Sequence, residues 1–386
     1  MYDSIVIGCG FAGAVVAREL AEKGGQQVCL LEKRNHIGGN CYDVEDEHGI
    51  LIHKYGPHIF HTNNERVFTY LSRFTEWYLF RHEVVANVHG EYLPIPFNLN
   101  TLVQVYGSEK AAELEAKLIE AYGAENKVPI LKLKEHPDQD IAQIADFVYE
   151  NVFLQYTLKQ WGQKPEDIDP AVTARVPVNI SRDNSYFADK YQGMPLEGYT
   201  PLFEKMLDYS GIKVELDTDA KSRLQLENGV IYFDNEIFDG NVIFTGPLDE
   251  FFSCCYGQLP YRSLDFVFEH HLVDSYQPKS VVNYTVSEDY TRITEFKKLT
   301  GQVAENQTTI VKEYPVAYDN AETQIPYYAI NNPLNDALYQ QYFELLKEYP
   351  KFYLLGRLAE YKYYNIDAIV DKALMLADQI LQKGSL

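Results

Sequence analysis

The 386-residue sequence predicts an α/β fold built on a nucleotide-binding, Rossmann-like domain assembled from separated pieces of the chain. Three observations carry this: a βαβ opening with a glycine turn, an acidic residue ending the second strand, and strand–glycine units that recur towards the C-terminus. Residues 2–7 (YDSIVI) form a β-branched run that feeds Gly8-Cys9-Gly10-Phe11-Ala12-Gly13. A helical stretch over 14–23 follows, then a second apolar run over 28–31 that ends at Glu32. Gly8 permits the tight strand-to-helix turn, Gly10 lets the backbone approach a pyrophosphate, and Gly13 lets helix and strand pack closely. Phe11 and Ala12 stand at the helix N-terminus, where unpaired N–H groups and the dipole favour a phosphate. Glu32 is placed to accept hydrogen bonds from an adenosine ribose.

The stretch after Glu32 points to FAD rather than NAD. It reads Lys33-Arg34-Asn35-His36-Ile37-Gly38-Gly39-Asn40, and a glycine pair this close to the acid suits a second backbone approach to a long dinucleotide. NAD dehydrogenases usually continue from the acid into another helix; a plain Gly-Gly turn is the other reading. Lys33, Gly39 and Asn40 are therefore candidate cofactor contacts, and Arg34 suits the adenine or a phosphate. Residues 241–244 run as a strand into Thr245-Gly246-Pro247. Residues 352–355 lead to Gly356-Arg357, and a last helix is expected over about 367–383, with Asn365 and Ile366 just ahead of it.

Composition narrows the function. Hydrophobic content of 46% and charged content of 23% are ordinary for a soluble enzyme with more than one domain. A net charge of −22 opposes nucleic acid and requires any anionic substrate to meet locally concentrated Arg and Lys. Five cysteines in no CxxC spacing give neither a zinc site nor a disulfide framework. The chain opens on a strand with no charged n-region before an apolar one, and no apolar run reaches membrane length, so a cytoplasmic protein without membrane insertion is expected. Tyrosine, at 31 residues, suits sugar and base contacts, although most of these rings must be structural.

Along the chain, residues 1–80, 201–248 and 327–386 read as the nucleotide-binding domain, with a helix over 201–209 and strands over 213–216 and 229–233. Residues 99–177 read as a helical insertion that ends in a proline-bounded, mobile lid loop. Within it Asn98 or Asn100 is expected to cap one helix, Ser108 to cap a second over 109–122, and a third to run over 141–149. Residues 81–98, 178–200 and 249–326 carry strands, with His89-Gly90 as a hairpin turn and strands expected over 264–269, 280–286 and 292–297.

Several strings are far more specific than the glycine fingerprint. They are HKYGPHIFHT over 53–62, YLPIPFN over 92–98, YTLKQWG over 156–162, Asn283-Tyr284 with YTRITE over 290–295, and GRLAEYKY over 356–363. Together they resemble the bacterial type of the UDP-galactopyranose mutase family over essentially the full length. The resemblance implies an FAD fold with a helical domain and a twisted antiparallel sheet, a homodimer, and an isomerase that interconverts UDP-galactopyranose and UDP-galactofuranose for surface polysaccharide. It implies reduced FAD as catalyst, with N5 attacking the anomeric carbon to give a covalent adduct and no net redox change.

The resemblance also distributes roles. Arg175 and Arg292 are the arginines on the diphosphate, which suits the planar guanidinium fork. Tyr186, Tyr314 and Tyr363 match tyrosines on the phosphates. Tyr156 and Trp161 match the uridine site, and Asn87 and Asn283 match polar residues that reach sugar or uridine. His58, Ile59 and His61 belong to the flavin loop, and Arg357 lies beside the flavin. The two histidines lack a partnering carboxylate or cysteine cluster, so no metal is expected. Many bacterial members carry Asp where this chain has Asn365; an amide cannot act as a base, so an acid/base role there is not carried over. A flavin amine oxidase or desaturase shares the opening glycine pattern and is the competing reading, and a non-catalytic UDP-sugar binding protein is a third. The arginines and the LPIPFN string fit a UDP-sugar better.

Overall fold

Ser4–Ile7 and Val28–Leu31 are buried at every position, the pattern of strands covered on both faces. They lie at the centre of a five-stranded parallel sheet ordered Ile212–Glu215, Val28–Leu31, Ser4–Ile7, Asn241–Phe244, Phe352–Leu354. The computed structural model describes residues 2–162, 177–319 and 324–384. The chain divides into two compact units: Met1–Leu79, Asp189–Ser263 and Tyr318–Leu386 form the first, and Phe80–Ala188 with Leu264–Ala317 form the second. The helices of the expected insertion and most of the expected antiparallel strands thus fall together in the second unit.

In the first unit, the helix Phe11–Gly24 starts three residues earlier than its apolar pattern implies and ends at Gly25, whose left-handed φ of 63° closes it. The early start packs the Phe11 ring against Tyr199 and Phe203. The last helix, Ile366–Gly384, packs against this first one. A helix over Pro333–Glu344 is absent from the sequence-based expectations, although its signals were present: Asn332 accepts the N–H groups of Leu334 and Asn335, and Pro333 opens the helix. A small antiparallel sheet joins Phe60–Thr62, Tyr191–Pro195 and Trp77–Leu79, and it carries His61.

In the second unit, strands run in the order 264–271, Thr308–Ala317, Arg292–Glu295, Val281–Tyr284, Val84–Val88, Glu91–Ile95. Arg292–Glu295 pairs antiparallel with both Thr308–Ala317 and Val281–Tyr284, and Val84–Val88 pairs antiparallel with Glu91–Ile95, whereas Val281–Tyr284 runs parallel to Val84–Val88. His89 and Gly90 make the hairpin turn with φ values of 53° and 95°, the left-handed geometry that matches strand twist. The strand expected over 292–297 stops at Glu295, because Phe296–Thr300 turns into a short helix closed by Gly301.

Helices Leu99–Tyr106, Ser108–Tyr122 and Gln139–Val148 bury Leu102, Leu114 and Ile144 in one core with Val84, Ala86 and Val281 of the sheet. Asn98 caps the first of them in a reciprocal box with Thr101. Ser108 does not cap the second; it is that helix's first residue, after Gly107, and among the described residues no side chain caps the turn. The chain then passes through a π-helical segment, Tyr149–Leu154, into the helix Gln155–Trp161.

Asn98 is buried, and beyond its cap its amide donates to Asp183 O and Asn184 Oδ1. Asn98→Ala is expected to cost about 2 kcal/mol of stability, read as a lower urea midpoint at unchanged m-value. A midpoint equal to wild type would contradict this.

Candidate active site

One cleft of about 680 Å³ in the first unit gathers the glycine turns. Gly8, Gly10, Phe11, Ala12, Glu32, Lys33, Gly39, Asn40, His58, Gly246, Gly356, Arg357, Asn365 and Ile366 all line it. Gly13 and Ile59 do not. Gly13 serves packing: a Cβ there would sit 1.9 Å from Gly8 O. Residues that sequence reasoning did not single out also line the cleft, among them Tyr55, Thr218, Lys221 and Tyr364. Tyr55, Thr218 and Tyr364 lie on loops and Lys221 on the one-turn helix Ala220–Ser222, all placed by the sheet rather than by a local motif.

The two glycine loops touch. A Cβ on Gly39 would lie 2.9 Å from Gly10 Cα, and Gly38 N–H donates to Cys9 O at 2.9 Å. Glu32, 6% exposed, ties both loops: its Oε2 accepts Cys9 N–H at 2.8 Å and its Oε1 accepts Arg34 N–H at 3.0 Å. Each oxygen keeps a lone pair for a further donor. Arg34 lies over the Tyr55 ring at 4.6 Å and donates Nη2 to Asn40 Oδ1 at 2.9 Å. Its Nη1 is buried with no hydrogen-bond partner among the described residues. Among the described residues no side chain caps the helix after Gly10, so its first N–H groups remain available. Bare helix N-terminus, touching glycine backbones and orphaned guanidinium nitrogen together fit the diphosphate and adenosine of a dinucleotide.

Cys9 and Cys41 also line the cleft. Burial, with the Glu32 charge adding to it, pushes the Cys9 thiol up to about 12, and burial pushes Cys41 up as well. Both stay protonated at neutral pH, so neither offers a thiolate nucleophile. His58 is held by its backbone: its N–H donates to His53 Nδ1 at 3.1 Å, and its carbonyl accepts the Tyr199 hydroxyl at 3.1 Å. His61 lies on the small sheet with Nδ1 2.9 Å from Asp189 Oδ2. The Arg357 guanidinium lies 4.4 Å from the Tyr363 ring centroid and donates Nε to Tyr364 O at 2.5 Å. Tyr363 also stacks on Tyr328, with centroids 5.9 Å apart. Sequence reasoning overlooked Tyr328, which neighbours Tyr363 only through the fold.

In the second unit, Arg292 makes a two-bond pair with Glu313: Nε to Oε1 at 2.7 Å and Nη2 to Oε2 at 2.6 Å. Glu313 is 1% exposed and Arg292 26%, so the carboxylate fixes the plane of a guanidinium that still reaches solvent. Strand register sorts the other expected residues. Arg292 pairs with Asn283 and with Glu313, so these three share a sheet face. Tyr314, one residue on, points to the opposite face and packs against Tyr290. Asn87, opposite Tyr284, is on that opposite face too, and its Oδ1 accepts Gly90 N–H in the hairpin turn. The structure therefore brings Arg292 and Asn283 together and separates Tyr314 and Asn87 from them. Tyr156 and Trp161 are both on the helix Gln155–Trp161, and Tyr186 packs edge-on against Phe187 at 5.0 Å. Arg175 lies outside the described residues.

Fold and cleft define a Rossmann-like dinucleotide-binding enzyme, and residues 6–74 match the NAD(P)-binding Rossmann-like domain family. Residues 151–363 match the UDP-galactopyranose mutase family. The chain is 35% identical to the UDP-galactopyranose mutase of Mycoplasma pneumoniae, covering 99% of this chain and 96% of that one. It is equally 35% identical to the dTDP-fucopyranose mutase of Escherichia coli, over 100% of both chains. A crystal structure of reduced UDP-galactopyranose mutase superposes with a TM-score of 0.71 at 15% identity, covering 100% of this chain and 95% of that one. The chain belongs to the UDP-galactopyranose mutase family of isomerases.

Two substitutions test the geometry. Gly13→Ala forces its Cβ onto Gly8 O, so the purified protein is expected to lose its bound dinucleotide, measured by chromatography of heat-released cofactor per chain. A wild-type ratio would contradict this. Glu313→Gln breaks a buried charge pair and is expected to cost about 2–4 kcal/mol in urea unfolding. A loss below about 0.5 kcal/mol would make the pair a surface contact in effect.

Proposed function

We propose that this protein interconverts UDP-galactopyranose and UDP-galactofuranose with FAD bound in the glycine cleft, and that the reaction is redox-neutral. The observation that carries the reading is full-length family membership together with a cleft that collects fourteen of the sixteen residues expected at the cofactor. Reduced FAD, when bound, supplies the N5 nucleophile for a covalent route through the anomeric carbon. The protein's own side chains then bind, orient and compensate charge. No Ser-His-Asp or Cys-His constellation is needed, which agrees with the protonated state of Cys9 and Cys41.

The leaving group is a nucleoside diphosphate, and its departure concentrates negative charge on the β-phosphate. Arg292, held in plane by Glu313, is suited to meet that charge, and a fixed cation needs no reorganisation as the charge develops. Arg175 is the second expected cation. Tyr156 is the expected stacking partner for the base. Asn365 orients by hydrogen bonding and does not transfer a proton. A homodimer in the cytoplasm, supplying galactofuranose for surface polysaccharide, completes the proposal.

A second substrate is favoured by a specific finding, the full-length identity to the dTDP-fucopyranose mutase. That nucleotide sugar differs in a thymine methyl, a missing ribose 2′-hydroxyl and a 6-deoxy sugar. Purified protein would be incubated with UDP-galactofuranose and with dTDP-fucofuranose, each with and without dithionite, and the products resolved by anion exchange. Formation of UDP-galactopyranose only under reduction is the expected result. Conversion of the dTDP-sugar alone would move the assignment to the deoxysugar. No conversion of either, with oxygen uptake on amines, would replace it with an oxidase.

A further inference from the structure

Lys159 is half-buried, and its ammonium reaches one loop at three points. It donates to the carbonyls of Tyr284 at 2.7 Å, Glu288 at 2.9 Å and Tyr290 at 3.2 Å. An ammonium has three N–H donors, enough to serve all three carbonyls at once. They mark the start, the middle and the end of the connection between Val281–Tyr284 and Arg292–Glu295. Arg292 follows the last of them by two residues. Tyr156 precedes Lys159 by three on the helix Gln155–Trp161, so the two share a helix face. A second bond holds the same loop to the segment just before that helix: Thr285 Oγ1 donates to Asn151 O at 2.5 Å.

We propose that Lys159 is a positioning residue that sets Arg292 relative to Tyr156, so that the diphosphate-binding arginine and the base-binding helix are held at one spacing. This rests on the nucleotide-sugar reading above. Glu313 fixes the plane of the Arg292 guanidinium, while Lys159 fixes the backbone from which that side chain extends. Burial lowers the proton affinity of the ammonium, and the Glu288 and Asp289 charges on the clamped loop act the other way and help retain it. A cation placed to within about an ångström is what charge compensation at a leaving group requires. Loss of the clamp would relax that placement without removing any group that touches substrate.

The test is a double-mutant cycle on the FAD-loaded full chain, with UDP affinity read by calorimetry and dTDP as a parallel series. Lys159→Met keeps the stem and removes all three donors; UDP binding is expected to weaken about tenfold, at unchanged flavin absorbance per chain. Arg292→Ala is expected to weaken it at least as much. The double variant should bind within about twofold of Arg292→Ala, because Lys159 acts through that arginine. A merely structural lysine gives independent losses that multiply, and that result overturns the proposal. Should Lys159→Met not fold, Thr285→Val loosens the same loop, with an expected loss of about threefold; wild-type UDP affinity there overturns it equally. A wild-type protein that binds neither UDP nor dTDP sinks the nucleotide-sugar reading and this inference with it, whereas multiplicative losses sink this inference alone.

Discussion

The contact between two glycine backbones, Gly10 and Gly39, is the constraint on which the cofactor cleft depends. Any Cβ at Gly39 would fall inside contact distance of Gly10 Cα, and Gly38 N–H closes the approach on Cys9 O. The Glu32 carboxylate then bonds a backbone N–H on each side. A charge with so little exposure is costly to bury unless its oxygens are satisfied, and here they are met by the two loops it joins. The same arrangement leaves the helix N-terminus uncapped, so the energetic needs of the loops and of a bound diphosphate coincide.

On the proposed reading, the second unit meets a different problem. A protein of net charge −22 repels an anionic nucleotide at long range, so recognition depends on cations that are placed rather than merely abundant. Arg292 is placed by three kinds of contact: the antiparallel pairing on both sides that fixes its strand, the Glu313 fork that fixes its plane, and the Lys159 clamp that fixes the loop before it. The Glu313 carboxylate partly offsets the field of the guanidinium it holds. In exchange the guanidinium gains a single orientation, which suits the proposed role of meeting leaving-group charge as it appears.

The cofactor half was legible in the sequence because its requirements are local. Gly8 and Gly356 adopt φ values of 98° and 110°, which only glycine takes without strain, and their spacing from a strand end is fixed by the turn. The grouping proposed for the substrate was less legible because it depends on register. Glu313 and Tyr314 are neighbours in sequence and lie on opposite sheet faces, and nothing local says which of them faces Arg292. Tyr328 meets Tyr363 only after the chain has folded. Asn87 gives its side-chain oxygen to a turn that was itself anticipated from His89-Gly90, yet its part in that turn was not. The sequence leaves Asn98 and Asn100 open as the cap of Leu99–Tyr106 and the structure makes it Asn98, while Ser108 is not a cap because Gly107 already holds the entry position.

The central claim is an isomerase that uses a dinucleotide without consuming it. The most direct measurement reduces the bound FAD once, anaerobically, with a stoichiometric electron pair, and then counts sugar turnovers while following the flavin absorbance. The account predicts many turnovers per reduced flavin, with the flavin still reduced when UDP-galactofuranose and UDP-galactopyranose reach equilibrium. One turnover per electron pair, ending in oxidised flavin, would contradict it and make this protein an oxidoreductase.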